Sequence, residues 1–232
     1  MSTQLNPPEG KLFPVYVFEA PVRIWHWVMA FCLVVLASTG YLIGSPLGSV
    51  SGEASDNFLF GYIRFTHFAA AYIFAVMFLM RVVWAFLGNR FAREIFLVPI
   101  SMFKPVWWQG FSGQLQHYLF LKSHAQSWQG HNPIAAAAMF FMYLLGTVFM
   151  LCTGFALYGE GLGMNSWAFK GFSSWVLPLL GYSQNVHTLH HLGMWFLIVF
   201  TIVHLYMVIR EDIMADATIL STMLNGWRVD KQ

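Results

Sequence analysis

Apolar residues run along this chain in long stretches, not in the alternation of a strand or the single stripe of a soluble helix. A helix crossing the hydrocarbon of a bilayer needs about 20 mostly apolar residues. Four stretches qualify, at about residues 22–44, 62–87, 132–158 and 186–209. The first is entered through Arg23 and followed by the small, flexible GSPLGSVSG; the second contains one charge well inside the span, Arg81. The pattern predicts an all-α integral membrane fold, a four-transmembrane-helix bundle forming one domain over residues 1–232.

The connections carry their own signals. In the loop 88–131, the prolines and scattered charges of FLVPISMFKPVWWQGF predict a segment lying on the surface and not a fifth span. In the loop 159–185, WAFKGFSSWVLPLLGY is apolar enough to lie in the interface, with Pro178 and Gly181 interrupting it. The tail 210–232 contains IMADATILSTMLNGW, a short amphipathic segment expected on the inner membrane face.

Charge supports this reading and orients it. Only 9% of residues are charged, against roughly 25% in soluble domains, while 58% are hydrophobic and 18% aromatic. The net charge of +2 offers no basic excess for nucleic acid. Lys and Arg concentrate on the cytoplasmic side of membrane proteins. With the N-terminus inside, that side receives Lys11, Arg23, Arg90, Arg93, Lys104, Lys122, Arg210, Arg228 and Lys231, and the outside only Arg64 and Lys170. Both termini and the loop 88–131 are therefore expected in the cytoplasm, with the first span acting as an uncleaved insertion signal. Cys32 and Cys152 fall in apolar runs, which argues against a disulfide framework or a cysteine-ligated cluster.

Candidate chemistry lies in the histidines. VHTLHHLGMWFLIVFTIVH places His187, His190, His191 and His204 in an apolar segment with no acid or base to pair with them. Intramembrane ionisable groups are costly and point to function. At 100° and about 1.5 Å per residue, His190 falls only about 40° from the face of His204 and roughly 21 Å away along the helix. His187 and His191 fall about 100° and 140° off that face and remain the alternatives to His190. His26 matches His204 in depth near the inner ends of their spans, and His67 matches His190 near the outer ends.

Two imidazoles meeting one centre from opposite sides suit haem iron, whose porphyrin fills four positions. Zinc would ask for a tetrahedron, and no carboxylate or thiolate lies at either depth to complete one. The segments HFAAAYIF and HHLGMWFL also read as similar half-sites, with Ala70 and Tyr72 after His67, and Gly193 and Trp195 after His190. Arg81, fourteen residues beyond His67, either pairs with a haem propionate or snorkels to the inner interface. Arg23, three residues before His26, invites the same propionate role. STGYLIG closes the first span and CTGFALYG the third. The echo is either a coincidence of glycine-rich helix ends or two places where a flat ligand needs a helix without a side chain in the way.

RIWHW at Arg23, Thr39 and Gly40, SGEA at Ser51, GHNP at Gly130, HHLGMW at His190 and REDIM at Arg210 follow one another along nearly the whole chain. In this order and spacing they resemble the cytochrome b subunit of membrane-bound nickel-iron uptake hydrogenases. The resemblance implies a diheme protein of the bacterial cytoplasmic membrane, with b-type haems on His26, His67, His190 and His204. It implies an outer haem held by His67 and His190 and an inner haem held by His26 and His204. Electrons from a periplasmic hydrogenase, docked through its iron-sulfur small subunit and through that to the large nickel-iron subunit, would pass to quinone. The hydrogenase complex is expected to form a higher-order oligomer. In GHNP, His131 and Asn132 either serve a quinone, as proton source and hydrogen-bond donor, or simply cap the third span ahead of Pro133. A gamma-type cytochrome b of formate dehydrogenase would share the scaffold. A histidine-using transporter would instead show acidic ligands or broken helices near the midplane, and neither is evident.

Overall fold

A computed structural model describes residues 14–46, 48, 58–122, 128, 130–214 and 218–228. Lys11, SGEA, His124 and Lys231 lie outside the described residues. The chain forms four helices long and apolar enough to cross a membrane, Ala20–Gly44, Leu59–Leu87, Pro133–Leu162 and Ser183–Ile213. Each runs beyond its apolar stretch at one end or both, because helical hydrogen bonding continues through flanking polar residues such as Arg210 and Glu211. The helices divide between two compact units: a core unit of Trp25–Val83 and Met139–Ile202, and a terminal unit built from the remaining segments.

The core unit does not sort its residues by polarity as a soluble protein does. Phe31, Phe65, Val76 and Ile202 are exposed, while Thr147, Thr153, Ala156, Ala168 and Ser173 are buried. Lipid is as apolar as leucine, so membrane helices associate through small residues and local hydrogen bonds. After the third helix, a wide π-type turn at Phe169–Ser173 and the helix Ser174–Leu180 fold back on it, with Ser173 Oγ donating to the Ala156 carbonyl at 2.6 Å. Pro178 is carried inside this helix, and the interruption expected there comes at Gly181 instead, where φ is 103°. Gly159 makes the approach possible, since a Cβ there would lie 2.5 Å from the Ala168 carbonyl carbon. Gly159→Ala is expected to cost about 1–3 kcal/mol by overpacking against backbone, read as a lower thermal midpoint in detergent.

In the terminal unit the two ends of the described chain meet. Val15–Tyr16 pairs antiparallel with Trp227–Arg228, in the register Val15 to Arg228 and Tyr16 to Trp227. The tail read as an amphipathic surface segment is thus tied by hydrogen bonds to the N-terminal segment. Its helix Ile219–Asn225 ends at Gly226, whose left-handed φ of 88° frees the Gly226 carbonyl to accept from the Val17 N–H at 2.8 Å. Val17, Phe18, Val22, Phe91 and Ala92 form the apolar core of this unit. The Glu19 carboxylate accepts from the Trp84 indole at 3.0 Å and the Asn89 N–H at 2.9 Å, and Arg228 donates to the carbonyls of Trp128 and Gly130 at 3.1 and 2.7 Å. The loop 88–131 contains only short helices, Pro105–Tyr118 being the longest among its described residues.

Candidate functional site

The core unit holds a cavity of about 800 Å³ lined by both His67, from the second long helix, and His190, from the fourth. Small-molecule sites span roughly 300–1,000 Å³, so this is room for a large ligand. Leu33, Leu36, Phe74 and Leu197 make its walls apolar, and Arg64 is the one permanently charged residue lining it among the described residues.

Each of the two imidazoles is held in the same way. Thr39 Oγ1 lies 2.9 Å from His67 Nδ1, and Thr153 Oγ1 lies 2.8 Å from His190 Nδ1. The residue after each threonine is glycine. A Cβ on Gly40 would lie 3.3 Å from His67 Cε1, and one on Gly154 would lie 3.1 Å from His190 Cε1. The echo between STGYLIG and CTGFALYG is therefore one device used twice, a hydroxyl for a ring nitrogen and a bare backbone for the ring. The glycines make room for the histidines and also line the cavity.

The neighbouring histidines are placed differently. His191 Nε2 accepts from the Trp195 indole at 3.2 Å, and its ring lies against Gly44, where a Cβ would be 3.0 Å away. His187 is exposed at the cavity edge, its Nδ1 3.1 Å from the Ser183 carbonyl. Only His190 has its Nδ1 on a threonine and its Nε2 uncommitted among the contacts described.

These donors fit haem. An imidazole anchored through Nδ1 presents Nε2 to a metal, and two such rings line one large apolar cavity. Among the described residues no three His, Cys, Asp or Glu side chains are grouped to hold a metal ion, so the site is a pair of imidazoles and not a tetrahedral cage. The family model of prokaryotic cytochrome b561 matches residues 17–226.

The chain belongs to the prokaryotic cytochrome b561 family.

It is 55% identical over 217 residues to the probable Ni/Fe-hydrogenase B-type cytochrome subunit of Azotobacter vinelandii, covering 94% of this chain and 89% of that protein. The subunit of the same name in Cupriavidus necator is 56% identical over 216 residues, covering 93% and 87%. The probable Ni/Fe-hydrogenase 1 B-type cytochrome subunit of Escherichia coli is 51% identical over 217 residues, covering 93% and 91%. The family read from the motifs is thus matched over nearly the full chain, and membership implies b-type haem in a membrane helical bundle.

The remaining candidate residues of this cytochrome b561 are dispersed. His26 is half-buried in the first helix, outside the cavity lining, its ring edge-on to Trp27 at 5.1 Å. His204 lies on the same unbroken helix as His190, Ser183–Met214. Arg81 is only 4% exposed, and its guanidinium sits 5.2 Å over the Trp25 ring, so it is held inside and not extended to a surface as a snorkelling arginine would be. Arg23 Nη1 donates to the Leu224 carbonyl, fastening the first helix to the tail. In GHNP the cap is present: Asn132 Oδ1 accepts from the Ala135 N–H at 2.8 Å. Asn132 Nδ2 also donates to the Tyr118 hydroxyl at 3.0 Å, and the Glu94 carboxylate faces His131 N at 3.0 Å and Nδ1 at 3.3 Å. Burial, and after it the Glu211 carboxylate, raises the Tyr118 phenol above its ordinary pKa.

Arg64 escaped the sequence reading except as an outside charge. Its signal was present, because Arg64 stands three residues before His67 as Arg23 stands three before His26. Thr153 was quoted only as part of an echo, since a threonine in an apolar helix is ordinarily satisfied by its own backbone.

Proposed function

We propose that this cytochrome is the diheme membrane subunit of a nickel-iron hydrogenase complex, handing electrons from a periplasmic enzyme to the quinone pool without itself activating hydrogen. The observation that carries the reading is the pair His67 and His190, each fixed through Nδ1, on one apolar cavity of about 800 Å³. These two would hold the outer haem, with His187 and His191 the alternatives to His190. By depth and by the fourteen-residue spacing from His190, His204 would hold the inner haem with His26.

Haem b, when bound, would supply reversible one-electron chemistry, with the paired histidines holding it. The chain's own residues do the rest. Arg64 at the cavity and the buried Arg81 would meet propionate carboxylates. Arg23 would add to the inner propionates only the donors that Leu224 leaves it. His131, backed by Glu94, would deliver a proton to quinone on the inner side, and Asn132 would donate to a quinone carbonyl. The names of the relatives support a hydrogenase partner; the chain would meet it through an iron-sulfur small subunit, and through that the nickel-iron large subunit, within a higher-order oligomer. The protein would lie in the bacterial inner membrane, and the distribution of Lys and Arg supports both termini on its cytoplasmic side.

The test is a reduced-minus-oxidised visible spectrum and a haem assay on the purified full-length chain. The expected result is a low-spin b-type spectrum with two haems per chain. A colourless preparation from haem-replete cells would overturn the reading.

A further inference from the structure

Resting on the assignment of His67 and His190 to the outer haem, we propose that Thr39 and Thr153 are positioning residues that fix the tautomer of those histidines and set how readily the outer haem is reduced.

The argument is a proton count. A threonine hydroxyl has one hydrogen to donate and lone pairs to accept with. Thr39 Oγ1 lies 2.6 Å from the Val35 carbonyl, and Thr153 Oγ1 lies 2.8 Å from the Phe149 carbonyl, each one turn back along its own helix. A carbonyl cannot donate, so each hydroxyl hydrogen goes to the backbone. The contacts with His67 Nδ1 and His190 Nδ1 can then be hydrogen bonds only if the ring nitrogens donate. Both imidazoles therefore carry a proton at Nδ1, and in the neutral ring the lone pair is then on Nε2. That is the form a metal binds.

The same bond tunes the ligand. An acceptor on Nδ1–H makes the ring a better electron donor at Nε2, which favours the oxidised iron; losing the acceptor favours the reduced iron. The two positions are not equivalent. The Leu36 carbonyl also faces His67, whereas the described contacts of the His190 Nδ1 are with Thr153 alone. Thr153 should therefore have the larger influence.

Thr153→Val keeps the shape and deletes the acceptor, and Thr153→Ser keeps the hydroxyl. Potentiometric reduction of the full-length, haem-loaded chain, followed at the b-type α-band, is the readout, and the component lost in His190→Ala marks the outer haem. Thr153→Val is expected to ease reduction of the outer haem by up to tenfold in equilibrium constant, a rise of up to about 59 mV for a one-electron couple. The inner haem should be unmoved, Thr39→Val should give a smaller rise, and Thr153→Ser should titrate near the wild type. If Thr153→Val does not assemble, Thr153→Cys, of similar size and a weak acceptor, takes its place with the same expectation. An outer haem at its wild-type potential in the Val or Cys variant overturns the inference while leaving the ligand assignment intact. Two haems retained in His190→Ala overturn the assignment itself.

Discussion

His190→Ala is expected to purify with one haem in place of two, and to pass electrons from hydrogen to quinone at a rate lower by more than the roughly 10–100-fold that loss of an outer-sphere partner costs a metal site. The ring it deletes is half-buried, lies against Gly154 and is tied to Thr153. His191 is adjacent in sequence, yet its Nε2 accepts from Trp195 and its ring lies on Gly44. His187 is exposed and turned to the Ser183 carbonyl. His67→Ala should give the same spectrum as His190→Ala, and His187→Ala and His191→Ala should keep both haems. Haem quantification with the pyridine adduct distinguishes these outcomes, and a His190→Ala protein holding two haems would refute the pairing.

Gly154→Val should be nearly as damaging although every histidine is retained. A Cβ at this position would stand 3.1 Å from His190 Cε1, already tighter than ordinary packing, and the two valine methyls extend past it into the space of the ring. The imidazole must then swing away, which breaks its bond to Thr153 and withdraws Nε2 from the cavity. Overpacking of this kind costs about 1–3 kcal/mol in a core, and here it falls on the one degree of freedom that ligation needs. The expected product is a folded, membrane-inserted chain with the outer haem missing. Gly40→Ala, where the corresponding distance is 3.3 Å, should only lower haem occupancy. Equal haem content in Gly154→Val and wild type would show that the glycine is not there for the ring.

Burial in lipid made the four long helices readable, because the hydrophobic runs that specify them are local in sequence. The shared face of His190 and His204 was also readable, since helix geometry converts a spacing of fourteen into one side of a helix. What lay beyond reach were bonds between residues far apart in the chain. Thr39 and His67 are 28 residues apart, Thr153 and His190 are 37, and neither threonine differs in sequence from one bonded only to its own helix. The terminal unit was hidden for the same reason. Glu19, Asn89, Glu94 and Arg228 carry no local signal of their partners, and only the fold reveals that each satisfies backbone or side-chain groups of a distant segment. Arg81 shows the limit of depth arguments, which placed it at a haem or at an interface and missed the Trp25 ring beneath it.

The pairing of Val15–Tyr16 with Trp227–Arg228 also dictates an order of events during synthesis. Helices can enter the bilayer one by one as they leave the ribosome, since each satisfies its own backbone. The N-terminal strand has no such independence: its partner follows all four long helices in the chain, so it must wait, unlatched, through the making of everything between. Closure of that latch comes only after the last long helix has been made, and a chain cut short before Trp227 would insert its helices and never fasten the strand Val15–Tyr16.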